Sequence, residues 1–464
     1  MKKTYLILAT CLYAAISCTQ KSVEKKKSAE KSDNQKPNII FIIADDLGYN
    51  DLGCYGQQII KTPNIDTLAA QGLKFTQFYA GSAVSAPSRS VLMTGMHTGH
   101  TTIRGNFGIG GVTGIGGGEG RIPLKETDTT IAQVLQQAGY VTAMVGKWGL
   151  GEPKTSGAPY KKGFDEFYGF LNQRRAHTYY PEYIWKDTIR VELSGNINRQ
   201  KIEYTHDKFA EYAIDFIKRN ANNRFFLYLP FCIPHDEYEI PDFGIYKGEE
   251  WSDELKAYAA MVTRLDNTVG RILKSLQEND IDDNTYIFFT SDNGATTITG
   301  EWKMFESNAP LRGGKRDAYE GGIRVPMIVG YPNKIAPGQV NDEVWYFADV
   351  MPTLGEIAEA PVPKNIDGIS VLPTILGKNQ EINQRYLYWE FYERDGWRAV
   401  RFGNWKAIQN GMNNEIHQDI ELYDLSKDIG EINNIADQHP EIIQKVEEMF
   451  KEAHVPSLNF MWDF

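Results

Sequence analysis

The sequence predicts an α/β domain, a mostly parallel sheet flanked by helices, followed by a smaller C-terminal subdomain of antiparallel strands plus one helix. Three observations predict it. Apolar runs of strand length alternate with amphipathic runs of helix length. Runs such as "NIIFIIADD" show no polar alternation, as expected of strands covered on both faces. After about Asn379 the texture changes to short aromatic-rich strands with polar turns.

The fold signal begins at Pro37 with "NIIFIIADD". In "TPNIDTLAAQG", Thr62 is placed as an N-cap, Pro63 at the first helical position and Gly72 as a stop. "LKFTQFYAG" reads as a strand. "SRSVLMTG" reads as a helix, with Pro87 and Ser88 in its first turn and Ser85 just before it. Asp128 to Gly139 is an amphipathic helix, "YVTAMVGK" a short buried strand, "DKFAEYAIDFIKRNA" a helix and "RFFLYLPF" a strand. Leu255, Tyr258, Val262, Leu265, Val269, Ile272 and Leu276 recur at helical spacing. "TYIFFTSDNG" and "RVPMIVGYP" add two buried strands. "RYLYWEFYE", "WRAVRFGNWKAI" and "IELYDLSKD" form the small sheet, and a helix from about His439 to His454 closes the chain. These changes divide the chain into a main domain at 37–378 and a C-terminal subdomain at 379–464. "NFGIGGVTGIGGGEGR" lacks the G-K-[ST] ending of a phosphate-binding loop and reads as a mobile surface loop.

A net charge of −11 argues against a nucleic-acid partner, which calls for a basic face. Residues 1–18, "MKKTYLILATCLYAAISC", carry a charged start, an apolar stretch too short for a membrane span and small residues before Cys18. They read as a bacterial lipoprotein signal with Cys18 lipidated, or as a plain secretory signal cut nearby. Either reading exports the protein, to the periplasm or as an outer-membrane lipoprotein of a Gram-negative bacterium. Membrane contact is then through the lipid anchor only. Residues 19–36 are polar and Lys-rich and read as a tether. Cys54 and Cys232 remain in the mature chain; their pairing stays open, and neither sits in a metal-ligand pair.

The informative feature is where polar residues fall. Asp45 and Asp46 end the first strand, Lys147 ends "YVTAMVGK", His235 follows "RFFLYLPF", and Asp292 and Asn293 end "TYIFFTSDN". Open α/β sheets bind ligands beyond the carboxyl ends of their strands. Adjacent carboxylates at Asp45 and Asp46 fit an exposed turn or a cation site, since close carboxylates repel unless a cation or proton intervenes. Together with Asp292 and Asn293 they offer oxygen ligands, which suit Ca²⁺ better than Zn²⁺, with Mg²⁺ as the alternative. Ser85, just before a helix start, fits a simple N-cap or a nucleophile in a site where amide dipoles favour an anion. Arg89, one turn in, is placed to reach back.

"SAPSRSVLMTG", Ser85 to Gly95, resembles the [CS]-x-P-S-R-x-x-x-x-T-G signature of type I sulfatases. "GYVTAMVGKWGLG" is similar to their second signature, and "PNIIFIIADDLGYNDLGCYG", "FTSDNG", "LRGGKRDAYEGGIRVP" and "ELYDLSKDIGEINNIA" resemble the same family from Pro37 to Ala436. The resemblance implies an alkaline phosphatase-like fold and hydrolysis of sulfate esters. It implies that Ser85 is converted to formylglycine by an anaerobic sulfatase-maturating enzyme. One hydroxyl of the hydrated aldehyde attacks sulfur, the sugar alcohol leaves, and collapse of the sulfated diol releases sulfate. Asp45, Asp46, Asp292 and Asn293 match its calcium ligands, one ion per chain. Arg89 matches the residue that stabilises the hydrated formylglycine. Lys147 and Lys315 match the sulfate-binding lysines, and His235 the histidine that protonates the leaving oxygen.

One position departs. The second signature usually reads K-W-H-L-G, and here the histidine is replaced by Gly149. His97 and His100 in "TGMHTGH" are the candidate substitutes, or else ordinary loop residues. "LNQRRAHTYYPEYIW" combines aromatics, Arg and His as sugar sites do, and His177 and Arg104 are expected to contact a sulfated saccharide. The implied substrates are O-sulfated galactose or N-acetylgalactosamine of mucins or glycosaminoglycans, cleaved from the chain end. The rival readings are a phosphatase or phosphodiesterase of the alkaline phosphatase-like superfamily and an inactive protein that binds sulfated glycans.

Overall fold

The computed structural model describes residues 36–107, 121–297, 300–382, 385–459 and 462. The leader, the tether up to residue 35 and the centre of the glycine-rich stretch lie outside the described residues. In chain order the elements are β1 (Asn38–Ala44), α1 (Pro63–Gln71), β2 (Leu73–Tyr79), α2 (Ser85–Thr94), α3 (Ile131–Gln137), β3 (Val141–Lys147), β4 (Glu166–Phe170), β5 (Tyr183–Lys186) and β6 (Ile189–Glu192). They continue with α4 (Thr205–Arg219), β7 (Phe225–Pro230), α5 (Asp253–Glu278), β8 (Thr285–Ser291), β9 (Arg324–Gly330), β10 (Gln339–Asn341), β11 (Trp345–Tyr346) and α6 (Val350–Ile357). The C-terminal part holds β12 (Tyr386–Phe391), β13 (Trp397–Phe402), β14 (Trp405–Asn410), β15 (Glu421–Asp424) and α7 (Pro440–Ala453).

The large sheet has the order β10-β2-β9-β8-β1-β7-β3-β4-β5-β6, with β11 also paired to β2. Strands β8, β1, β7, β3 and β4 are mutually parallel. Strand β9 runs antiparallel to both β8 and β2. All seven residues of β1 are buried, and alternate ones serve opposite faces. Ile39, Phe41 and Ile43 pack with Val91, Leu92, Ile131, Leu135 and Leu354, which belong to α2, α3 and α6. Ile40, Ile42 and Ala44 pack with Leu68, Phe216, Val262, Leu265 and Ile272, which belong to α1, α4 and α5. Each fully buried large aliphatic side chain contributes roughly 1.5–3 kcal/mol by area transfer, so helices on both faces hold β1 in register.

That register sets the site. Ala44 stands opposite Ser291, so Asp45 and Asp292 emerge side by side at the carboxyl edge. At the end of β3, Gly146 has φ 135°, and a Cβ there would lie 2.1 Å from the Pro230 carbonyl oxygen. Only glycine lets β3 come so close to β7, and the next residue is Lys147.

Some local expectations are corrected. Thr62 holds the expected N-cap position but makes no cap hydrogen bond; its hydroxyl accepts from the Gly53 N–H at 2.9 Å and donates to Asp66 at 3.1 Å. The helix expected over Asp128–Gly139 is Ile131–Gln137, opened by a Thr130–Gln133 capping box. "WRAVRFGNWKAI" is two strands, β13 and β14, turning at Gly403 with φ 49°. Cys54 and Cys232 are both free.

The small sheet has the antiparallel order β12-β13-β14-β15. Val400, Ala407 and Leu422 face Val446 and Phe450 of α7, while Leu387, Trp389, Phe391 and Ala399 join the main core. Trp389 Nε1 donates to the Ala80 carbonyl and Trp397 Nε1 to the Arg316 carbonyl, each at 2.9 Å. The small sheet therefore braces the segments before Ser85 and after Lys315. No helix among the described residues is long and apolar enough to cross a membrane.

Candidate active site

Ser85 is the first residue of α2, and the N-cap position falls on Val84. The simple N-cap reading of Ser85 is corrected: its hydroxyl donates to Asp45 Oδ1 at 3.0 Å, and Lys147 Nζ approaches it at 3.4 Å. Lys147 Nζ also donates to Asp45 Oδ2 at 2.6 Å. Arg89 directs Nε and Nη2 at Asp292 Oδ2, at 3.1 and 2.9 Å, and Nη1 at the Lys147 carbonyl at 2.9 Å. Among the described residues its ion pairs run to Asp292 and Asp45, and it also bonds the Lys147 carbonyl, so the guanidinium is committed to these groups. Lys315 Nζ contacts Asp46 Oδ2 at 2.5 Å and His235 Nε2 at 2.9 Å. Asn293 Nδ2 donates to Asp46 Oδ1 at 2.7 Å. Asp45, Asp46, Ser85, Arg89, Lys147, His235, Asp292, Asn293 and Lys315 are all buried.

Three buried carboxylates thus face three buried cations. Burial pushes Asp45 up, but Lys147, His235, Arg89 and Lys315 outweigh it and hold its carboxyl well below the usual range. Burial pushes Lys315 down, and Asp46 reverses this, so the ammonium stays charged. The chain's own cations balance its carboxylates. A divalent ion added to this set would leave positive charge for an anionic sulfate ester. The donor set fits such an ion. Asn293 Oδ1 is buried without a hydrogen-bond partner among the described residues, and Asp45, Asp46 and His235 bring ligand atoms within 4.8 Å of one another. Asp46 adopts φ 63°, a left-handed conformation that Asp tolerates better than most residues.

His235 is held on several sides. Tyr179 donates to its carbonyl at 2.7 Å and to the Cys232 carbonyl at 3.0 Å. Asp236 Oδ1 lies 2.5 Å from His235 Nδ1, and that hydrogen bond holds the Asp236 carboxyl well below its usual range. With Nδ1–H directed at a carboxylate, Nε2 is the atom left to face the site. His177 stacks on His235 with ring centroids 3.8 Å apart. Burial, with His235 and Lys147 nearby, pushes His177 down to about 2, so it is a neutral imidazole.

Two expectations lie elsewhere. Arg104 is buried and directs Nη1 at Glu390 Oε1, at 2.9 Å, and Nε at the Thr101 carbonyl, at 3.2 Å. It is an ion-paired tie to β12 rather than an open sugar contact. His97 stacks on His100 at 4.2 Å, and both lie against Asp367. His97 Nδ1 accepts from the Gly99 N–H at 3.1 Å. This pair sits past the end of α2, held against Asp367. Sequence reasoning missed Asp236, although it follows His235 directly. It also missed Gln173 and Asn106. Gln173 Nε2 donates to Asn106 Oδ1 at 2.9 Å, and that oxygen accepts from the Ala86 N–H at 3.1 Å. Asparagine and glutamine carry no spacing signal, so nothing in the sequence marked them.

A family model described as sulfatase matches residues 37–360. One described as N-sulphoglucosamine sulphohydrolase, C-terminal, matches residues 300–455. The N-acetylgalactosamine-6-O-sulfatase of Bacteroides thetaiotaomicron is 30% identical, over 94% of this chain and 96% of its own length. The N-acetylgalactosamine-6-sulfatase of Canis lupus familiaris is 34% identical, over 80% of this chain and 72% of its own. The solved structure of Ps i-CgsB in complex with k-i-k-neocarrahexaose superposes with TM-score 0.77 and 29% identity, covering 90% of this chain and 93% of that one.

Proposed function

The chain belongs to the sulfatase family and is a sulfuric ester hydrolase; from that premise we propose that it cleaves sulfate from O-sulfated galactose or N-acetylgalactosamine at the ends of mucin or glycosaminoglycan chains. The reading rests on one observation: Ser85 donates to Asp45 at 3.0 Å inside a buried cluster of balanced charge at the sheet's carboxyl edge. Residue 85 is read as formylglycine, made from serine by an anaerobic maturating enzyme; when hydrated it supplies a hydroxyl nucleophile towards sulfur. Asp45, Asp46, Asp292 and Asn293 would hold a calcium ion, which draws charge from the sulfate oxygens.

The side chains divide the remaining work. Lys147 and Lys315 would bind sulfate oxygens, with Asp45 and Asp46 given over to holding the ion. Arg89, gripped by Asp292, fixes the first turn of α2 and keeps positive charge beside residue 85. His235 delivers a proton from Nε2 to the departing sugar oxygen, oriented by Asp236 and Tyr179. His177, neutral and stacked on His235, contacts a sugar hydroxyl. Residues 37–378 carry the site, and 379–464 brace it. The leader exports the protein, to the periplasm or as an outer-membrane lipoprotein. The relatives named for N-acetylgalactosamine sulfate esters support the sugar class. The test is a panel of singly sulfated sugars incubated with matured protein and calcium. Release of sulfate from a galactose or N-acetylgalactosamine ester supports the reading. Release only from glucosamine or uronate esters would reject the sugar, and turnover of phosphate esters alone would reject the reaction.

A further inference from the structure

Gly149 has no side chain where the family resemblance places a histidine. Its φ is 78°, and a Cβ built there would stand 2.9 Å from Gln173 Oε1. Hydrogen bonds from Trp148 N–H to the Phe170 carbonyl, 2.9 Å, and from Gly149 N–H to the Leu171 carbonyl, 3.2 Å, hold the two segments together. The Gln173 amide therefore occupies the space beside Gly149. Gln173 is only 6% exposed, yet Oε1 has no hydrogen-bond partner among the described residues. A buried acceptor is costly to leave without a donor. Its Nε2 is tied to Asn106 Oδ1, which also takes the N–H of Ala86, the residue after Ser85. Asn106 is in turn fixed by its own N–H, which donates to Glu393 Oε1 at 3.0 Å.

The serine form offers one hydroxyl, already directed at Asp45 Oδ1. A hydrated aldehyde on the same carbon carries a second hydroxyl, a donor that serine lacks. We propose that Gln173, held by Asn106, is a positioning residue that accepts a hydrogen bond from the second hydroxyl of hydrated formylglycine at residue 85, in the place left by the histidine absent at Gly149. A neutral amide takes no proton, so Gln173 orients this hydroxyl and thereby fixes which oxygen faces sulfur. The same contact favours the hydrate over the free aldehyde. This inference rests on the reading of residue 85 as formylglycine.

The test compares matured wild type with Gln173→Met, which keeps length and loses the acceptor, and with Gln173→Glu, which keeps an acceptor. Mass spectrometry of the peptide containing residue 85 first reports conversion. An aminooxy probe then reads the free aldehyde. Gln173→Met should label about 3- to 10-fold faster than wild type, the equilibrium effect of one hydrogen bond. Its kcat on 4-nitrophenyl sulfate should fall about tenfold, with KM within about twofold. Gln173→Glu should label within about twofold of wild type. Should Gln173→Met not fold, Asn106→Ala, which unties the amide, carries the same comparison. Converted variants that label and turn over like wild type would overturn the proposal. An unconverted but active wild type would overturn the formylglycine reading and this inference with it, and the mass measurement alone separates that outcome.

Discussion

Lys147→Met in calcium-free protein tests the electrostatics of the site. Lys147 Nζ lies 2.6 Å from Asp45 Oδ2, and both side chains are at most 1% exposed. At an effective dielectric near 20 the bare attraction at that distance is about 6 kcal/mol. Part of it offsets the desolvation of the ammonium, so removing one partner of such a buried pair costs roughly 3–5 kcal/mol. Arg89, 3.7 Å from the same oxygen, compensates only in part. A chain with roughly 430 folded residues melts with an entropy near 0.9 kcal/mol/K, so the variant should melt about 3–6 °C lower in chelator. Calcium should then raise the variant's Tm more than the wild type's, because the ion replaces the missing positive charge and binding shifts stability by mass action. The assay is a thermal melt with chelator and across a calcium titration. A variant that melts within a degree of wild type in chelator would refute the reasoning, as would equal calcium gains for both proteins.

Asp236→Asn should slow release of sulfate from sugar esters about 10- to 100-fold, and from 4-nitrophenyl sulfate far less, since a phenolate needs no proton to leave; equal losses on both substrates would remove Asp236 from the alignment of His235. Lys406, fully buried between Glu320 at 2.9 Å and Glu431 at 3.0 Å, should cost roughly 3–5 kcal/mol as Lys406→Met, read by denaturant unfolding, and an unchanged midpoint would contradict the ion network. Burial pushes His206 from 6.5 down to about 3, so the unfolded chain binds the proton first on acidification. Its contribution is complete above pH 6.5 and is lost as pH falls through about 3, on the order of a few kcal/mol in all. His206→Gln should flatten stability against pH between about 6.5 and 4, and an unchanged slope over that window would count against burial as the cause.

How far the sequence could be read follows from which signals are periodic. The buried run of β1, the caps and stops of the long helices, and the polar residues at strand ends are local patterns. They placed Asp45, Asp46, Lys147, His235, Asp292 and Asn293 on one edge before any coordinates. Lys315 came only through the family resemblance, because its loop has no periodicity. Strands β4, β5, β6, β10 and β11 were not legible. They are short, and much of β5, β6 and β10 is polar or exposed, so burial leaves no pattern there. Arg104 was read as a sugar contact because a charged residue in a loop has no visible partner in sequence; Glu390, its partner, lies 286 residues away. Ser85 was placed just outside the helix because Pro87 suits a first helical turn, whereas the helix already begins at residue 85. Gln173 and Asn106 act through contacts that only the fold creates.

On the proposed reading, distant segments assemble a sulfatase site around a modified residue 85. The most direct test of that reading measures two quantities on the same preparations: the fraction of residue-85 peptide lighter than the serine form by two hydrogens, and the rate of sulfate release per chain. Across preparations matured to different extents, turnover should rise in proportion to that fraction and extrapolate to none at zero conversion. Full turnover by chains whose residue 85 is still serine would contradict the reading.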